Sequence, residues 1–189
     1  KAKMTNEMIA DIKTATSQGY RVLVVATSSK MIDSDELPND LVASAIIVIE
    51  DTIRKDAIET IKWFKENGVE IKIISGDDPE TVSSIAKRVG VRNAEKFINL
   101  EGMTLDEVKK IAEEYTVFGR VTPEQKHAII QQLKTKNVVA MTGDGVNDTL
   151  ALKEADCSIA MADGSEVARN ISHLVLLDSQ FSTLPMVVE

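Results

Sequence analysis

The feature that most constrains this chain is a rhythm of short apolar runs alternating with amphipathic stretches. Asp56 to Asn67 carries Ala57, Ile58, Ile61 and Phe64 at helical spacing, and Gly68 stops it. Val69 to Ser75 reads as a strand. Asp78-Pro79 then starts a helix that runs to Gly90, with aspartate as N-cap and proline in the first turn. Thr104 to Glu107 and Thr122 to Gln125 spell two capping boxes. Thr116 to Gly119, Val138 to Thr142, Cys157 to Met161 and Leu174 to Leu177 read as further strands. Strands separated by helices of about ten residues predict an α/β fold, a parallel sheet with helices on both faces. Ligands of such sheets sit at the carboxyl ends of the strands.

The first fifty residues follow a different pattern. Thr5 to Gln18 is a helix with Met8, Ile9, Ile12 and Ala15 on one face and Gly19 as its stop. Arg21 to Thr27 and Ala43 to Ile49 are strands, and the polar stretch Ser28 to Asp40 between them is a loop. At 189 residues the chain has room for one domain and a fragment of another. Its longest apolar run, Leu41 to Ile49, is interrupted by Ser44 and falls far short of the roughly 20 residues a membrane helix needs. No signal peptide is visible at the N-terminus. Cys157 is the single cysteine and has no disulfide partner in the chain, which points to a reducing cytosol. The net charge of −8 argues against nucleic acid as a partner. It fits either plain solubility or a carboxylate site for a divalent cation.

Two loops follow strands on the same predicted sheet edge: Ser75-Gly76-Asp77-Asp78 and Thr142-Gly143-Asp144-Gly145-Val146-Asn147-Asp148. In the second, Asp144 is bracketed by Gly143 and Gly145, residues that let a backbone come close to a ligand. Asp144 directly follows a strand, where its carboxylate can hold a hard cation such as Mg²⁺. Asn147 and Asp148 open the next helix and can brace that site. Ser75-Gly76-Asp77 offers a hydroxyl and a helix start suited to a phosphoryl oxygen, although the same three residues also make an ordinary turn. Lys126, one turn into the helix that Thr122-Pro123 begins, can neutralise a transferring phosphoryl group. Arg120 can do likewise or pair with a surface carboxylate. His127 and His173 have no spacing that suggests a metal or a triad and read as structural. A hydroxyl loop, a lysine and a cation-holding carboxylate, in that order, make a phosphoryl-transfer site that wants a nucleophile.

The order Ser75-Gly76-Asp77, Lys126 and Asp144/Asp148 resembles the second, third and fourth motifs of the haloacid dehalogenase superfamily. The wording is closer to its P-type ATPase branch. Phe118 to Lys126 looks like the lysine motif of ion pumps, and Thr142 to Asp148 with Ala151-Leu152-Lys153 and Ala155-Asp156 is similar to the pump signature. Ile49 to Arg54 looks like the hinge where the nucleotide domain returns to the phosphorylation domain. Ile159-Ala160-Met161 and Leu176-Leu177-Asp178 with Phe181 match the segment leading to the next membrane helix. The resemblance covers about Gly19 to Glu189.

It implies that Asp144 coordinates Mg²⁺, and that Lys126 and Ser75 contact the phosphoryl group with Gly76 and Asp77 beside it. Asn147 and Asp148 then support the metal and the phosphate. Arg21 matches an arginine that touches ATP phosphates. Asp51 and Arg54 match hinge residues near the nucleotide, which also read as a helix N-cap and a first-turn salt bridge. Residues 1–49 become the end of a nucleotide-binding domain, and 50–189 a phosphorylation domain. The implied parent uses ATP and Mg²⁺ to move a cation across a membrane, with this part on the cytosolic face. Its partners are ATP, the transported cation, and the actuator, membrane and remaining nucleotide domains of the same polypeptide. The wording leans toward calcium or monovalent cations.

Departures are equally specific. The Asp-Lys-Thr-Gly-Thr motif that carries the phosphorylated aspartate is absent, and Asp33-Ser34-Asp35 follows no suitable strand. The isolated chain is therefore expected to form no phosphoenzyme. Ser75 stands where pumps more usually have threonine, and Thr149-Leu150 where they have Ala-Pro. Two alternatives share the fold: a soluble Mg²⁺-dependent phosphatase of the same superfamily, and a non-catalytic regulatory domain.

Overall fold

The computed structural model describes residues 2–30, 37–50 and 52–188, and divides into two compact units, Lys1–Thr52 and Ile53–Glu189. In the first unit α1 (Asn6–Ser17) is capped by Thr5, whose hydroxyl accepts from the Met8 N–H. Strands β1 (Arg21–Thr27) and β2 (Val42–Ile49) pair antiparallel with Arg21 opposite Ile49. The pairing slips by one residue between Val25 and Ala26.

The second unit alternates strand and helix. Its elements are α2 (Ala57–Glu66), β3 (Ile73–Ile74), α3 (Pro79–Arg88), β4 (Phe97–Asn99), α4 (Leu105–Ile111), β5 (Val117–Gly119) and α5 (Pro123–Leu133). They continue with β6 (Ala140–Gly143), α6 (Thr149–Glu154), β7 (Cys157–Met161), α7 (Glu166–Ile171), β8 (Leu174–Leu176) and α8 (Leu184–Val188). The helix starts obey local chemistry. Asp78 caps α3 through two backbone N–H groups, and complete capping boxes open α4 at Thr104 and α5 at Thr122.

The strands are parallel, but they form two three-stranded sheets rather than one, in the orders β3-β5-β4 and β6-β7-β8. β4 is not anticipated by the sequence pattern, and β3 is shorter than the expected Val69 to Ser75. A strand pairs only as far as its neighbour extends, and β5 is itself three residues long.

Both faces of each sheet are covered, as the alternation of side chains across a strand requires. In β5, Val117 packs with Ile61, Ala86, Val91 and Ala94 beneath α2 and α3, while Phe118 packs with Val108, Ala112, Ala128 and Ile129 beneath α4 and α5. In β7, Ile159 joins Phe64, Leu176 and Leu184, while Ala160 joins Ile130, Met141, Ala151 and Leu152. Ile74 and Val139 touch the clusters of both sheets on the α5 face, so the two sheets share that layer of core.

Ile129 is fully buried in this layer. Ile129→Val should lower unfolding free energy by about 1 kcal/mol, the usual cost of one buried methylene. Urea titration followed by the fluorescence of Trp63, the chain's single tryptophan, measures it in the unit concerned. No measurable change would mean that this face is not packed as described.

Candidate active site

The carboxyl ends of β3, β5 and β6 carry the polar residues that the sequence singles out. Ser75 follows β3, and its backbone N–H donates to Phe118 O at 2.9 Å while its carbonyl accepts from Val121 N at 3.1 Å. Asp77 O accepts from Arg120 N at 2.9 Å. Those bonds join the Ser75 loop to the segment that enters α5, the helix carrying Lys126. Arg120 makes that junction with a positive φ of 54°, an uncommon conformation for a side-chain-bearing residue. The Ser75 hydroxyl oxygen accepts from Asp77 N at 3.1 Å, which leaves its own proton available to a ligand. A Cβ built at Gly76 meets nothing within 4 Å, so the space above this turn is open.

Lys126 reaches from the first turn of α5 to the loop after β6. Its Nζ lies 2.7 Å from Asp148 Oδ1, and the two side chains are only 13% and 10% exposed. The other carboxylate oxygen, Oδ2, accepts from Gly145 N at 3.1 Å. Asp148 is thus folded back onto its own loop. Gly143 makes this possible: a Cβ there would sit 2.8 Å from Asp148 Cβ. The two glycines therefore serve the close approach of Asp148, where the sequence had suggested the approach of a ligand.

Asp144 is different. It is exposed at the end of β6, and its carboxylate takes no partner among the described residues. Its backbone carbonyl is fixed by Ser165 N at 2.7 Å. Among the described residues no group of three or more metal-ligating side chains exists. One free carboxylate suits Mg²⁺, which keeps most of its waters and takes one or two protein carboxylates beside a substrate phosphate. Asn147 is exposed beside it and its side chain is unengaged among the described residues.

Arg21 opens β1 in the first unit. Asp51, like Asp33-Ser34-Asp35, lies outside the described residues. Arg54 donates from Nη1 to Ser179 O at 3.0 Å. The exposed guanidinium keeps further donors.

Both histidines are structural, as expected. His173 Nδ1 bonds the backbone N–H and hydroxyl of Ser158 across β7 and β8. His127 Nε2 lies 3.0 Å from Glu154 Oε2, and Lys134 bonds the Glu154 carbonyl and its Oε1. These contacts tie α5 to the end of α6. Hydrogen bonding from His127, then from Lys134, holds the Glu154 carboxyl below its ordinary range.

Sequence reasoning missed Gly164 and Ser165, which lie against the Asp144 backbone, and Arg169, which bonds the carbonyls of Ala162 and Gly164. The available signal was a glycine-serine pair just after the strand Cys157 to Met161, with serine as N-cap of α7.

Two outcomes follow from these contacts. Asp148→Asn removes one charge of a buried pair, so it should destabilise the second unit by about 3 kcal/mol in urea titration at neutral pH. A loss below about 0.5 kcal/mol would mean that the pair is solvated. Glu154 is depressed in the folded state, so its contribution is complete above the ordinary glutamate range and is lost as pH falls through the lower folded value. Glu154→Gln should therefore flatten the acid limb of stability against pH, and an unchanged acid limb would show that Glu154 does not carry it.

A family model described as "Hydrolase: haloacid dehalogenase-like hydrolase" matches residues 7–156. "Probable cation-transporting ATPase exp7" of Streptococcus pneumoniae serotype 4 (strain ATCC BAA-334 / TIGR4) is 45% identical over 183 residues, 95% of this chain and 24% of the relative. "Calcium-transporting ATPase CtpE" of Mycobacterium tuberculosis (strain CDC 1551 / Oshkosh) is 41% identical over 173 residues, 91% of this chain and 22% of the relative. A crystal structure of a zinc-transporting PIB-type ATPase in the E2.Pi state superimposes with a TM-score of 0.68 at 26% identity, over 98% of this chain and 25% of that one. The chain thus spans roughly a quarter of the length of the curated relatives it matches. Matched across most of its length and sharing its parallel α/β fold with pump domains, this chain belongs to the haloacid dehalogenase-like hydrolase family.

Proposed function

We infer that this chain is the phosphorylation domain of a P-type ATPase, with residues 1–49 as the end of its nucleotide-binding domain. The parent couples ATP hydrolysis, through an aspartyl phosphate, to cation transport from the cytosolic face of a membrane. The observation that carries this is the pairing of Lys126 with Asp148 beside an unengaged Asp144, in the segments that follow β5 and β6. The relatives named as cation-transporting ATPases support it. No helix among the described residues is long and apolar enough to cross a membrane, so the transport path belongs to other parts of the parent.

The chemistry follows from the geometry. An ammonium has three N–H donors, so Lys126 can keep Asp148 and still donate to a phosphoryl oxygen. The Ser75 hydroxyl supplies a second donor from the β3 side. Asp144, with Asn147 beside it, would hold Mg²⁺, which would supply neutralisation of charge on the transferred phosphoryl group. The role of Asp148 is to keep the lysine extended and in register. Arg21, Asp51 and Arg54 are assigned to the nucleotide, the last two from the hinge. Arg120, whose guanidinium is unengaged among the described residues, is assigned to the nucleotide phosphates.

The acceptor aspartate comes from a segment of the parent that this chain does not include. Two strand edges, those of β3 and β6, have no partner among the described residues and share one core layer through Ile74 and Val139. An extended segment seated between them would bring its carboxyl end to Ser75, Lys126 and Asp144 together.

Phosphate transfer from radiolabelled ATP to the full reading frame in membranes tests this, with Mg²⁺, a panel of cations led by calcium, and an Asp144→Ala control. The expected result is acid-stable label that depends on one cation, is lost in the control, and falls by a factor of about 10² to 10³ in Lys126→Met. The chain alone should take no acid-stable label. Phosphate release without a cation-dependent intermediate would point to a soluble phosphatase, and no turnover at all to a regulatory domain.

A further inference from the structure

Asp144 is fixed through its backbone by a loop that belongs to none of the motifs. After β7 the chain turns at residues 162–165 and enters α7. The N–H of Ser165 donates to the Asp144 carbonyl at 2.7 Å. Gly164 lies directly against the same residue: a Cβ built there would be 2.8 Å from Asp144 O and 3.0 Å from Asp144 Cα. The loop cannot close on Asp144 with any larger residue at that point.

The turn is closed by a backbone bond from Gly164 N to Met161 O at 3.0 Å and tied at Asp163 N to the Ser179 hydroxyl at 3.0 Å, and one charged side chain braces it further. Arg169 Nη1 donates to Ala162 O at 2.8 Å and to Gly164 O at 2.6 Å. Both are hydrogen bonds from a charged donor, the stronger kind. They draw together the two ends of the turn that presses on Asp144. The Ser165 hydroxyl accepts from Ala168 N at 3.1 Å, which anchors the turn to α7.

We propose that Arg169 is a positioning residue for the cation-holding carboxylate: it clamps the 162–165 turn against Asp144 and so fixes the direction in which that carboxylate points. The proposal rests on the assignment of Mg²⁺ to Asp144. An exposed aspartate with no side-chain partner has only its backbone to orient it, so a brace on that backbone acts on the metal directly.

The test uses this chain, isotopically labelled, with Mg²⁺ alone as the probe. Backbone amide shifts of Gly143 and Gly145 report Mg²⁺, and hydrogen exchange of the Ser165 amide reports the clamp. In Arg169→Gln the Ser165 amide should exchange about tenfold faster. The Mg²⁺ concentration at half-response should rise about tenfold, the usual size for loss of a supporting partner. Arg169→Lys should recover most of both effects, because one nitrogen makes both bonds. A Gln variant with the wild-type Mg²⁺ midpoint, whether or not Ser165 opens, would overturn the proposal. If that variant does not fold, Gly164→Ala keeps Arg169 but pushes on Asp144. A raised midpoint supports the clamp and an unmoved one overturns it. Asp144→Asn separates the two claims. Should it keep the wild-type Mg²⁺ response, the metal assignment itself fails and this proposal with it.

Discussion

The arrangement depends on one buried ion pair. Lys126 and Asp148 are both largely withdrawn from water, where an uncompensated charge would be costly. Their attraction offsets that cost only because the geometry is close and the second carboxylate oxygen finds the Gly145 N–H. Three elements must be in register for this to happen: the first turn of α5, the end of β6 and the turn at residues 145–148. Asp148 can reach its place only over a residue without a side chain, which is Gly143. An order of residues that looks like a sequence signature is therefore also a packing solution around one carboxylate.

Helix α5 carries this constraint into the fold. Its neighbouring residues Ile129 and Ile130 sit in the cores of different sheets, so one turn of helix spans both. Gln125 completes the capping box and also donates to the carbonyls of Leu100 and Met103, which fixes the helix start against the loop after β4. At the other end, Lys134 bonds Glu154 at the close of α6, and His127, next to Lys126, bonds the same carboxylate. The lysine is thus presented by a helix locked at both ends, and the hydroxyl loop is joined to it through the backbone bonds of Arg120 and Val121.

What the sequence revealed was what is local. Asp78, Thr104 and Thr122 announce helix starts because a cap is decided within four residues. The loops after β3 and β6 could be picked out because ligands of parallel strands sit at the carboxyl ends, but that the two strands lie in separate sheets was not legible. Non-local features stayed hidden. Phe97-Ile98-Asn99 is too short to display a period and becomes β4 only by pairing with β5. Val69 to Lys72 looks like strand but has no partner of matching length. The purpose of Gly143 is set by a side chain five residues on. Arg169 has carbonyl groups as its partners, and these leave no trace in residue identity.

The ribbon of β1 and β2 has a different kind of consequence. Leu23, Val24, Val25, Val42, Ile47 and Val48 are all substantially exposed, and they fall on both strands. Adjacent residues of a strand point to opposite faces, so both faces of the ribbon keep apolar side chains exposed. Two strands rich in branched apolar side chains, bridged at an outer edge among the described residues only by Lys3 opposite Val42, are a template for pairing with further strands. For the chain on its own, colloidal behaviour is then governed by this ribbon rather than by the acidic surface charge, and self-association at high concentration begins in the first fifty residues.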